Sequence, residues 1–277
     1  MFQPAVPLSG IAGWRFLEAT ESNQRAAFEG SAQIRRDVDY FKENIWKIGS
    51  AEALVEDRRL LRVALGAFGL DEEIYKTAFL EKILAEGTDE PESLANKFVD
   101  PRYAEFSRAF GFGDLLGPRT LDFGFGEKIT SAYMDRQFEI AVGSQNENMR
   151  LALTFRRQIV EYADASTPDT TQWFRVLGSR PLRTVVEAAF NLPSEFAGLD
   201  IDRQVDTLRD RARDILGSDA VSVFKDPAAV EEVINRFLVR KQVEQGPGPG
   251  VPGSAALTLL SQAARPSGVP NLILSGL

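Results

Sequence analysis

The chain is predicted to fold as an all-α, multi-helix, bundle-like body with no substantial sheet, and three observations lead there. Apolar residues recur at spacings of three and four through most of the first 245 positions, the period of a helix with one buried face. Start and stop signals frame those runs: Asp-Pro pairs at Asp100-Pro101 and Asp226-Pro227, and glycines at Gly69 and Gly87. A helical segment also recurs, Arg58–Leu70 aligning without gaps on Arg180–Leu192 with Arg, Leu, Val, Ala, Phe and Leu in register.

Residues 1–17 are apolar with Pro and Gly, and read as a flexible N-terminal segment. From 18 to 47 there is no Pro, and Thr20, Gln24, Ala27, Ser31, Ile34, Val38, Phe41 and Ile45 alternate at fours and threes, predicting one helix with a heptad-like seam. The seam fits an amphipathic helix docked on its own domain, and it leaves Ile34, Val38, Phe41 and Ile45 as candidate partner-binding residues. Ala53 to Phe68 forms a second helix stopped by Gly69, and Asp71 caps a third that carries Ile74, Phe79, Leu80, Ile83 and Leu84 to Gly87. Shorter helices follow near Leu94–Phe98 and from Pro101 to Phe110, closing a first helical repeat region over 18–110.

Residues 111–126, GFGDLLGPRTLDFGFG, hold five glycines and a proline and read as a turn-rich connector. A long helix from Glu127 to about Tyr162, interrupted near Gly143, opens a second region over 127–245. It continues with helices starting at Thr167-Pro168, at 180–191, at 201–216 and from Asp226-Pro227 to about Val243. The last stretch, 246–277, starts GPGPGVPG and contains a single charge, Arg265. Its apolar Leu257, Leu260, Leu272 and Leu274 are the other candidate partner contacts, since an apolar stretch is unusual in a solvated linker.

Function classes are narrowed by what is missing. The chain has no Cys and no His, which removes thiolate and imidazole nucleophiles and bases and the usual zinc ligands. Forty acidic residues against 32 basic ones give a net charge of −8, so the mean field opposes nucleic acid and anionic membranes. No membrane-length apolar run and no charged leader followed by an apolar core is present. The Gly124-Phe-Gly-Glu-Lys-Ile-Thr130 string lacks phosphate-loop spacing. Asp37, Asp39 and Glu43, and Asp71, Glu72 and Glu73, are read as solvated faces and helix-start acids, and Asp57, Arg58, Arg59 and Arg62 as an ion-paired face. No catalytic, cofactor-binding or metal-binding residue is assigned.

The strings Asp37-Val-Asp-Tyr-Phe-Lys-Glu-Asn-Ile45, Asp57–Leu70, Leu94-Ala-Asn-Lys97 and Asp100-Pro-Arg-Tyr103 resemble the bacterial domain-of-unknown-function family 1217 over roughly residues 30–240. Members of that family are often encoded among flagellar genes, so the resemblance implies a link to flagellar assembly or motility without defining an activity. The expectation that follows is a non-enzymatic, flagellum-associated structural or assembly protein with protein partners. The signal-free N-terminus and the lack of a membrane-length run lead to an expected location in the cytoplasm, or export through a flagellar-type apparatus without a cleaved signal. A cytosolic helical adaptor or export chaperone, and a carboxylate-based enzyme or small-ligand-binding protein, are the alternatives.

Overall fold

The computed structural model describes residues 2–245; within them the chain is all-α, with twelve α-helices, six 3-10 turns and no strand. The helices are α1 Gly10–Glu29, α2 Ala32–Asn44, α3 Ala51–Glu56, α4 Arg58–Phe68, α5 Thr77–Glu86 and α6 Pro101–Phe110. They continue as α7 Phe125–Gly143, α8 Glu147–Asp164, α9 Asp169–Gly178, α10 Arg180–Ala189, α11 Ile201–Leu216 and α12 Pro227–Gln245.

The first helix starts at Gly10, earlier than the sequence reading, and Trp14 and Leu17 within the supposedly flexible N-terminal segment are fully buried. The single helix expected over 18–47 is two. Gly30 ends α1, Ser31 takes extended backbone as the N-cap of α2, and the inner register changes across the break. In α1 the inner residues are Trp14, Leu17, Gln24 and Phe28, while Ala27 of the expected seam faces solvent. Gln24 is buried because it is bonded: its Oε1 accepts from the Ala5 N–H at 2.6 Å and its Nε2 donates to the Ala5 carbonyl at 3.2 Å, which ties down the N-terminal segment.

Asp57 splits the expected second helix, bending the chain between α3 and α4 while its Oδ1 accepts from the N–H groups of Arg59 and Leu60. Helix α4 is buried almost all round and packs chiefly against α7, with α2 beside it. The α4–α7 approach requires Gly66, where a Cβ would come to 2.7 Å of the Tyr133 ring. Asp71 starts a 3-10 turn rather than α5, and its carboxylate accepts from Gln137 Nε2 on α7 at 2.8 Å. The interruption near Gly143 is real: the chain turns, and Asn146 caps α8.

The second half assembles around α8 and α10, which pack on each other and on α12, with α1 lying across α12. Trp14 Nε1 donates to Glu231 Oε2 at 3.1 Å, joining the first helix to the last. One contiguous core runs through both halves, from Trp14 and Phe41 to Trp173 and Phe237.

The two aligned segments share local geometry. Helix α4 and helix α10 are each followed by a 3-10 turn, a helix, a second 3-10 turn and a helix starting at Asp-Pro. Asp100 Oδ1 caps the Arg102 N–H and Asp226 Oδ1 caps the Ala228 N–H. Packing partners differ, α4 resting mainly on α7 and α10 mainly on α12 and α8, so the correspondence is one of caps and element order. No bond is repeated at the aligned arginines: Arg58 stacks over the Tyr75 ring at 5.1 Å, and Arg180 has no such partner among the described residues.

Candidate interaction surface

The sequence-predicted contact residues divide into two groups. Ile34, Val38, Phe41 and Ile45 are buried in the chain's own core, where α2 rests on α4 and α7, and offer no outward face in this conformation. Leu257, Leu260, Leu272 and Leu274 lie outside the described residues. Of the acidic sets, Asp37 is buried beside the Tyr133 hydroxyl at 3.5 Å while Asp39 and Glu43 are exposed, and Asp71 is taken up by Gln137. Among the described residues no group of three His, Cys, Asp or Glu side chains is placed to hold a metal ion. The Asp57–Arg62 run is not an ion-paired face: Asp57 is used in capping and in accepting the Tyr40 hydroxyl at 2.7 Å, and Arg59 stacks 3.7 Å over the Tyr40 ring.

A run of outward apolar side chains lies instead on the 111–126 connector. Leu115, Leu116 and Leu121 are 94%, 89% and 73% exposed, Phe123 is fully exposed, and Trp46 on the adjoining 3-10 turn is 56% exposed. The backbone beneath them is braced. Gly111 caps α6 in the left-handed region, and Gly113 lies so close to the Ala85–Gly87 backbone that a Cβ would collide with it. Asp114 Oδ1 accepts from the Thr88 N–H at 2.7 Å, the Leu115 N–H donates to Asp89 Oδ2 at 2.7 Å, and Thr120 Oγ1 donates to the Ile48 carbonyl at 2.6 Å. Phe110 anchors the loop ends, packing edge-on against Phe125 and in a tilted arrangement against Phe112. The sequence signal was present: Leu-Leu and Leu-Asp-Phe inside a glycine-rich turn, apolar residues with no helical period to bury them.

A second, internal feature is a charge cluster on α6, α7, α8 and α9. Glu139 is buried and accepts from Thr154 Oγ1 at 2.8 Å and from Arg157 Nε at 2.7 Å and Nη2 at 3.0 Å. Burial opposes the charge on Arg157, and the bonds to Glu139 outweigh it and raise its pKa. Arg136 is shifted down by burial and by Arg157. Burial also pushes the Glu161 carboxyl up against the pull of Arg157 and Arg136, and pushes the Tyr162 hydroxyl up to about 12, helped by Glu105. Arg175 bonds Glu105 at 3.3 Å and stacks on Tyr162. The Glu105–Arg175 pair joins α6 of the first region to α9 of the second, while the Glu139 bonds join α7 to α8 within the second.

Two surface depressions lie elsewhere: a groove between α10 and α12, and a shallow hollow at Ala53, Glu56, Asp57, Arg58 and Arg59. The carboxyls pushed above their ordinary range are Glu18, by burial and by Glu231, and Glu161, and neither lines these depressions. No helix among the described residues is long and apolar enough to cross a membrane.

Comparison with known proteins gives a fold and a family. The crystal structure of an Agrobacterium tumefaciens protein is similar with a TM-score of 0.69 at 24% identity, covering 86% of this chain and 97% of that one. No curated protein matches. The model of a family described as protein of unknown function, DUF1217, matches residues 67–230, the span holding α5 to α11, the connector and the charge cluster, and the chain belongs to that family.

Proposed function

We propose that the chain is a non-enzymatic, flagellum-associated structural or assembly protein that works through protein–protein contacts, with the connector as its docking face. One observation carries the docking role: a loop braced by three side-chain hydrogen bonds and two close glycines presents Leu115, Leu116, Leu121 and Phe123 to solvent, with Trp46 alongside. Contiguous apolar patches rimmed by polar groups mark interaction sites, and large side chains of this kind each bury on the order of 150–250 Å² when aromatic. A rigid display also lowers the ordering cost of association. The flagellar context rests on the resemblance drawn from the sequence alone, and the non-enzymatic reading is supported by a chain without His or Cys.

Epitope-tagged protein, localised and co-purified from wild-type and export-deficient cells, tests this reading. Recovery with the basal body and hook, or export-dependent release, is the expected result. Retention with one cytosolic client would favour the adaptor or chaperone, and finding neither would overturn the flagellar reading.

A further inference from the structure

A groove lies between α10 and α12. It is about 440 Å³, with Ala188, Ala189, Val239 and Val243 as its apolar floor and Glu232, Arg236 and Arg240 on its rim. Val239 and Val243 are 45% and 68% exposed on the last turns of α12, where an amphipathic helix ordinarily turns such residues inward. On its far side, α12 is covered: Gln242 abuts Gly10 of α1, so the groove is the open flank of the helix end.

Gln245, the last described residue, stands two residues beyond Val243. The sequence that follows, GPGPGVPGS over 246–254, is rich enough in Gly for the chain to reverse, and is then followed by Ala-Ala-Leu-Thr-Leu-Leu over 255–260. Between 246 and 277 the only charge is Arg265, so the segment brings no charge to desolvate in the groove. Nine residues span at most roughly 30 Å, whereas the groove residues from Glu232 to Val243 cover about 17 Å of helix. We infer that Ala255–Leu260 docks in cis in the α10–α12 groove, laying Leu257 or Leu260 on Val239 and Val243.

The absence of native Cys makes the test direct. In the full-length chain, Val239→Cys with Leu257→Cys, and Val239→Cys with Leu260→Cys, are oxidised under mild conditions beside a control pairing each tail variant with Lys241→Cys, on a different face of the same helix. Docking predicts an intramolecular disulfide in the monomer, formed on the order of tenfold faster in one or both Val239 pairs than in its control, since docking raises the effective concentration of the two thiols. Rates equal to the control would overturn the inference. So would disulfides found only between chains when singly substituted proteins are mixed, which would assign the segment to a neighbouring copy. Circular dichroism verifies that each variant remains folded.

Discussion

Gly69 and Asn191 do the same work at aligned positions. Each is the left-handed residue that ends its helix, with φ of 69° and 52°, and Asn191 is the one residue other than glycine with positive φ among those described. In each case the next residue closes the turn: the Leu70 N–H donates to the Leu65 carbonyl and the Leu192 N–H to the Glu187 carbonyl, both at 2.9 Å. The left-handed region costs an ordinary residue about 1–2 kcal/mol and Asn less. Asn191→Ala is therefore expected to destabilise by about 1 kcal/mol and Asn191→Gly to be neutral or slightly stabilising. Gly69→Ala should cost more than Asn191→Ala, because its Cβ would also press on the Arg136 guanidinium at 3.0 Å. Urea midpoints of the three variants check the order.

Gly66→Ala pits helix propensity against packing. An added methyl favours the helix by about 1 kcal/mol, but at 2.7 Å from a buried Tyr133 ring it must move α7 or the ring, an overpacking cost of about 1–3 kcal/mol. The expected outcome is a lower thermal midpoint. Tyr133→Leu in the same background should recover part of it, because the ring is what the methyl meets.

Glu139 and Arg157 form the most enclosed ion pair of the internal cluster, with side chains 5% and 20% exposed. Glu139→Leu strands a largely buried guanidinium and is expected to destabilise by about 3 kcal/mol. The double change Glu139→Leu with Arg157→Met removes both charges and should cost clearly less than the single one, a non-additivity measurable by denaturant unfolding of the four proteins.

Stability against pH follows from carboxyls that shift in opposite directions. Burial raises the Glu21 pKa, but hydrogen bonds from Arg156 and Arg25 outweigh it and hold the group below its ordinary 4.5. Its stabilisation is therefore present above pH 4.5 and is lost as the pH falls through the folded value. Glu18 and Glu161, pushed above 4.5, act with the opposite sign: they favour the fold at acid pH and oppose it increasingly as pH rises from 4.5 through their folded values. Glu21→Gln should be less stable than the parent at neutral pH and converge on it once the pH has fallen below the folded value. Glu161→Gln should be more stable than the parent at neutral pH. Urea midpoints across the pH series test both.

Elements set by local chemistry were legible. Asp100, Pro101, Gly69, Gly87 and the bounds of α11 follow from caps and stops that act within a turn. The α1–α2 break was missed because Gly30 and Ser31 sit inside an unbroken polar and apolar alternation, and the α2 register was carried back past them. The Ile34–Ile45 seam announced a buried face, and periodicity alone says nothing of what buries it; here it is α4 and α7. The connector's leucines were legible as apolar residues without a helical period, but not their outward direction. Their direction comes from the Gly87–Gly113 approach and from hydrogen bonds to Thr88 and Asp89, contacts between segments well separated in sequence.

The connector is the centre of the functional account, and Leu116→Asp with Phe123→Asp addresses it most directly. Both side chains are almost wholly exposed and make no core contact, so the variant should unfold at the same denaturant midpoint as the parent. Tagged and expressed at parental level, it is expected to lose co-purification with the flagellar basal body and hook. Undiminished recovery of those components with a folded variant would contradict the assignment of this surface.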